Sequence, residues 1–123
     1  MADRPKVIVA EDEPALAKVL KLRLEIEGFD VRTAGDGAEA LDLIAEERPD
    51  VLVCDLMMPV MDGHEVCRTI KSDPALKDIP VLILTALKAT RERERLEKLG
   101  ADAFSSKPYD SKQLTAAIRG LLE

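Results

Sequence analysis

The stretch Val51-Leu52-Val53-Cys54-Asp55-Leu56-Met57-Met58-Pro59-Val60-Met61-Asp62-Gly63 decides how this chain folds. Val51 to Cys54 are apolar without alternation, which is the pattern of a strand buried on both faces. The run delivers a single carboxylate, Asp55, to the strand's end. It then leaves through Pro59 and a turn at Asp62-Gly63. A carboxylate there is costly unless it is paired, bound to metal or open to a cleft. An Asp that ends a strand is also an ordinary way to begin a loop. The rest of the chain chooses between these readings.

Upstream, Lys6 to Ala10 is a second continuous apolar run, and it ends in Glu11-Asp12-Glu13. Pro14 suits the first turn of a helix, and Leu16, Val19, Leu20 and Leu24 recur at helical spacing until Gly28 ends it. Acids at a helix N-terminus favour its dipole, but that does not explain why three sit where a buried strand stops. Phe29 to Ala34 has the mixed polarity of an edge strand. Asp36 to Glu39 has capping-box spacing, and Leu41, Ile44 and Ala45 supply the apolar stripe of a second helix closed by Pro49.

Downstream, Asp62 to Glu65 repeats the capping-box spacing and opens a helix with Val66, Cys67 and Ile70 inward. Val81 to Leu84 is a third buried strand ending in Thr85. The helix from about Lys88 to Leu99 is almost wholly charged between Thr90 and Arg95, and only Leu96 and Leu99 anchor it. Ala101 to Ser106 forms a last strand leading to Lys107-Pro108. Asp110 to Gln113 caps a final helix that buries Leu114, Ala117, Ile118 and Leu121. Five strands alternating with five helices, without repeats or an internal linker, give an α/β fold with a parallel sheet in a single domain spanning 1–123.

Composition narrows the function. The chain has 123 residues, a net charge of -6 and a pI of about 4.9, which argues against direct nucleic-acid binding. No apolar run approaches the ~18 residues of a membrane span, and the start lacks a signal core, so a soluble cytoplasmic protein is expected. Cys54 and Cys67 make neither a disulfide framework nor a zinc site and read as small buried side chains. His64 reads as an exposed helix residue, and Met57, Met58 and Met61 as packing around a loop.

In a sheet of this kind function gathers at the carboxyl ends of the strands, near the switch point. Glu11, Asp12, Asp55, Thr85 and Lys107 all fall there. Clustered carboxylates need a cation, and oxygen-only ligands suit magnesium. A hard metal beside a carboxylate, with an ammonium and a hydroxyl at hand, suits phosphoryl transfer. Aspartate can itself be the nucleophile, and Asp55 is the candidate.

Glu11-Asp12 after the first strand, D-L-M-M-P-x-M-D-G from Asp55, Thr85-Ala86, G-A-D-A-F from Gly100 and Lys107-Pro108 occur in this order. Together they resemble the response-regulator receiver domain, the CheY-like partner of sensor histidine kinases, over essentially the whole chain. The resemblance implies a doubly wound, flavodoxin-like (βα)5 three-layer sandwich with strand order 2-1-3-4-5. It implies that Asp55 accepts a phosphoryl group from the phosphohistidine of a sensor kinase or a histidine phosphotransfer protein. Mg2+ would be held by Asp12, Asp55 and the Met57 backbone carbonyl, with Glu11 acting directly or through water. Lys107 would pair with the phosphoaspartate, Thr85 would bond a phosphoryl oxygen, and Phe104 would be the aromatic switch residue. Lys107-Pro108 would be a cis peptide. The fourth helix, fifth strand and fifth helix would form the face that controls a downstream protein or output domain. Such a domain assists its own phosphorylation and dephosphorylation and is a switch rather than an enzyme.

Three other readings share parts of this pattern. A haloacid-dehalogenase-type phosphatase also uses a strand-end Asp, but wants an acid two residues later, where this chain has Met57. A flavodoxin-like flavin carrier wants a Ser/Thr/Gly phosphate loop where Ala10 to Pro14 is acidic. A receiver-like domain that switches without phosphorylation usually lacks part of the acidic set, which here is complete.

Overall fold

Parallel pairing of the apolar runs builds the sheet in a computed structural model that describes residues 4–85, 90–107 and 110–123. The elements are β1 (Lys6–Ala10), α1 (Pro14–Ile26), β2 (Asp30–Ala34), α2 (Gly37–Glu46) and β3 (Val51–Asp55). They continue with α3 (Gly63–Ser72), β4 (Val81–Thr85), α4 (Thr90–Lys98), β5 (Ala103–Ser106) and α5 (Ser111–Leu122). The strands run in the expected order β2-β1-β3-β4-β5. The mixed-polarity β2 lies at one edge, and β3 is buried throughout.

Strand alternation divides the core into two layers. Val7, Val9, Val51, Val53, Leu82 and Leu84 face Leu20 and Leu24 of α1 and Leu114 and Ile118 of α5. Ile8, Ala10, Leu52, Cys54, Val81 and Ile83 face the apolar residues of α2, α3 and α4, including Leu96. This is the three-layer sandwich.

Some side chains fall differently from their sequence reading. In α1, Ala17, Leu20 and Leu24 are buried while Val19 is 46% exposed. Val19 lies about 200° around the helix from Ala17, so it joins Leu22 and Ile26 in an outward apolar stripe. In α2, Ala40 and Ile44 are buried and Ala45 is exposed, one position past the inward face. In α5, Thr115 is buried alongside Leu114 and Ile118, and Ala117 and Leu121 are only partly buried. β2 begins at Asp30 and β5 at Ala103, later than expected. In both places a glycine with positive φ ends the preceding helix, and the residue after it bonds back to that helix. Gly28 (φ 100) precedes Phe29, whose N–H reaches the Leu24 carbonyl, and Gly100 (φ 102) precedes Ala101, whose N–H reaches the Leu96 carbonyl. The cap consumes the residue that propensity alone would add to the strand. The expected cis peptide before Pro108, and the start of the fourth helix at Lys88, fall outside the described residues.

At the amino end of β4 a lysine holds four segments together. Lys71 Nζ donates to the carbonyls of Lys77 (3.0 Å) and Ile79 (2.9 Å) and to Asp102 Oδ2 (2.8 Å). The same Asp102 oxygen accepts from the Val81 N–H at 2.8 Å. Lys71→Met keeps the aliphatic stem against Gly100 but takes the lysine donor from the Lys77 and Ile79 carbonyls and leaves Asp102 its bond from the Val81 N–H. The expected cost is about 2 kcal/mol in urea unfolding, and an unchanged midpoint would show the lysine to be dispensable.

Candidate functional site

The order β2-β1-β3 reverses the direction of winding between β1 and β3, which opens a crevice at their carboxyl ends. The backbone ladder runs one residue past β1, because the Glu11 N–H donates to the Ala34 carbonyl at 2.9 Å. That pairing holds Glu11 in the sheet, where it is 1% exposed, while Asp12 stands exposed at the rim. Asp55 ends β3 and is 4% exposed. The Lys107 N–H bonds the Thr85 carbonyl at 3.1 Å, which places the lysine beside the end of β4.

These ends bring the side chains together. Lys107 Nζ lies 2.9 Å from Asp55 Oδ2 and 3.1 Å from Glu11 Oε1. The second Glu11 oxygen accepts from the Glu13 N–H at 3.1 Å. Glu11, Asp12 and Asp55 each offer an oxygen, all within 4.8 Å of one another. Together with Thr85, Lys107 and Met57 they line a cavity of about 710 Å³. Thr85 is half-buried at the cavity wall, and the Met57 side chain is exposed at its mouth.

The electrostatics follow from burial. Burial pushes the Glu11 carboxyl above its usual range, against the opposing pull of the Glu13 N–H and Lys107. Burial also works against the Lys107 ammonium, but its bonds to Asp55 and Glu11 outweigh this and hold its pKa above the ordinary lysine value. Three carboxylates against one ammonium leave an excess of negative charge in a half-enclosed, all-oxygen site. That donor set fits a hard divalent cation that keeps some of its water, as Mg2+ does.

Phe104 stands apart from the cavity. It is half-buried on β5, packed against the core layer under α4, and the Arg93 guanidinium lies 4.9 Å from its ring centre. His64 is less exposed than its place at a helix start implies: its side chain keeps 16% exposure, with Nδ1 3.7 Å from an Asp62 oxygen. Cys54 and Cys67 are buried, and burial raises both thiols, Cys67 to about 11. They are therefore inert packing residues.

Two features of the site escaped sequence reasoning. One is the burial of Glu11 against Lys107, a contact between residues 96 positions apart; the uninterrupted apolar run before Glu11 was its only local signal. The other is the loop after β3. The Gly63 N–H closes it on the Leu56 carbonyl at 2.9 Å, and the Met61 N–H bonds the Pro59 carbonyl at 2.7 Å around Val60. Val60 has φ 68 and is 80% exposed. A β-branched residue held in this left-handed region costs about 1–2 kcal/mol. An x between Pro59 and Met61 says nothing of that.

A sheet of this order with three acids, a hydroxyl and a lysine at its carboxyl edge has the architecture of a receiver domain. The chain belongs to the response regulator receiver domain family, whose model matches residues 7–119. It is 43% identical over 117 residues to the response regulator MprA of Mycobacterium avium, covering 95% of this chain and 50% of that protein. It is 36% identical over 118 residues to the DNA-binding dual master transcriptional regulator RpaA of a Synechocystis strain, covering 96% of this chain and 49% of that protein. The receiver domain of the Francisella response regulator 1452 superposes with a TM-score of 0.90 at 35% identity, covering 97% of each chain. The chain thus spans about half the length of the curated relatives it matches. Those relatives are response regulators and transcriptional regulators, and the family match makes this chain a receiver domain of two-component signalling. Among the described residues no helix is long and apolar enough to cross a membrane.

Proposed function

We propose that this single domain, spanning 1–123, is a cytoplasmic switch set by phosphorylation of Asp55. The observation that carries the reading is Lys107 bridging Asp55 and Glu11 in a cavity that also holds Asp12. An Asp55 oxygen attacks the phosphorus of a phosphohistidine on a sensor kinase or a histidine phosphotransfer protein. The P–N bond breaks and the imidazole departs with its electron pair. Glu11, Asp12, Asp55 and the Met57 backbone carbonyl would hold Mg2+, which, when bound, neutralises charge on the phosphoryl oxygens. Lys107 moves from a carboxylate partner to a phosphoryl one, and Thr85 donates its hydroxyl to a phosphoryl oxygen. The domain thereby assists its own phosphorylation and, with water as nucleophile, its dephosphorylation.

The outward stripe of Val19, Leu22 and Ile26 starts within about two turns of Asp12 and offers a protein donor a helix to pack on. The output runs through Phe104 to the α4-β5-α5 face, where a partner or an output domain reads the change. The domain itself binds neither nucleic acid nor membrane.

Beryllofluoride with Mg2+, a stand-in for the phosphoryl group, tests this by amide NMR. Shifts are expected at Thr85, Phe104 and along α4, and none in Asp55→Asn. Shifts confined to the cavity would refute the α4-β5-α5 output, and equal shifts in the variant would refute Asp55 as the acceptor.

A further inference from the structure

We infer that Gly37, the first residue of α2, is a positioning residue for the cation site on the far side of the β3–α3 loop. The observation is one of space. A Cβ at Gly37 would run into the Met61 carbonyl oxygen and would lie 2.5 Å from Val66 Cγ2 and 3.0 Å from Met61 Cβ. The Gly37 N–H donates to that same Met61 carbonyl at 3.2 Å. The start of α2 is therefore pressed against the loop backbone with no room for a side chain. Gly63 does the same at the loop's other end, where a Cβ would lie 2.9 Å from both the Asp55 carbonyl oxygen and Leu56 Cα.

Between these two contacts the loop has little freedom. Leu56 and Gly63 close it, Pro59 and Met61 tighten it, and Asp62 is fixed by accepting from the Glu65 N–H at 3.0 Å. Val60 is exposed and left-handed, spanned by the bond from the Met61 N–H to the Pro59 carbonyl. A strained residue persists only where its surroundings over-determine it, and Gly37 supplies the lateral constraint. The loop that is pinned in this way carries Met57, whose backbone carbonyl is the proposed fourth cation ligand. Setting the loop's height against the sheet sets the distance from that carbonyl to Asp12 and Asp55. The inference rests on the metal reading given above. It extends that reading to a residue on another element that touches none of the acids.

The test is Mg2+ titration by calorimetry on wild type and Gly37→Ala, with urea unfolding of each. Val66→Ala and Gly37→Ala/Val66→Ala serve as a second pair. Deleting the valine methyls removes the Val66 part of the obstruction and leaves the Met61 part, so the double variant keeps the measurement open should Gly37→Ala fail to fold. The expected result is that alanine at 37 weakens Mg2+ binding about tenfold in either background, the scale typical of residues that orient a metal ligand. Equal Mg2+ affinity with and without the glycine, whatever the change in stability, overturns the inference. Absence of Mg2+ binding in wild type would overturn the metal reading itself.

Discussion

Lys107→Ala is expected to lower the stability of the Mg2+-free protein by about 3 kcal/mol at neutral pH, because it leaves two buried carboxylates without their cation. Asp55 and Glu11 are 4% and 1% exposed, and Lys107 Nζ is within 3.1 Å of both. The figure sits at the low end for a broken buried pair because the lysine side chain keeps 25% exposure. Two conditions should restore the loss. Saturating Mg2+ supplies the missing charge and binds the native state alone. Acid also helps, in a direction fixed by Glu11. Its folded pKa is raised from the ordinary 4.5, so between 4.5 and the raised value the native state binds more protons than the unfolded one. Stability from this group falls as pH rises through that window. Removing Lys107 raises Glu11 further, so the deficit of the variant should be full at pH 7 and shrink towards pH 4.5. In wild type the Lys107 contribution is present below pH 10.5 and is lost as pH rises through its elevated folded value. A deficit that is the same at pH 5 and pH 7, and indifferent to Mg2+, would show that Lys107 acts through packing instead.

Asp55→Asn is expected to do the reverse: a gain of about 1 kcal/mol without Mg2+, together with complete loss of phosphorylation. The substitution removes one buried negative charge from a cluster of three, while Lys107 keeps Glu11 as its partner at 3.1 Å. Relief of like-charge repulsion and of carboxylate desolvation outweighs one lost ion-paired hydrogen bond. Mg2+ should close the gap between the two proteins, because wild type offers it one more carboxylate. Urea unfolding with and without Mg2+ reads both effects. A loss of stability in Asp55→Asn would mean that the Lys107–Asp55 pair, rather than the repulsion, dominates the empty site.

Much of this architecture was legible because burial on two faces leaves a plain signature. Val51 to Cys54, Lys6 to Ala10 and Val81 to Leu84 have no polar alternation, and helix caps such as Asp36 and Asp62 sit at their expected spacing. The site was legible as a set of strand ends. What escaped was set by tertiary contact. Val19 is as apolar as Leu20, and only the angle around α1 turns it to solvent. Ala45 differs from Ala40 in nothing but position. The burial of Glu11 depends on a β2 carbonyl extending the ladder by one residue. Gly37 reads locally as an ordinary residue after a helix cap, and its importance lies in a loop that comes 24 positions later in the chain.

The central claim, that Asp55 is the phosphoacceptor of a metal-dependent switch, is tested most directly by intact mass after incubation with acetyl phosphate. Wild type and Asp55→Asn would each be measured with and without Mg2+. Wild type with Mg2+ should gain the mass of one phosphoryl group, with no gain when the metal is chelated and none in the variant. An equal gain in Asp55→Asn, or no gain in wild type that binds Mg2+, would contradict it.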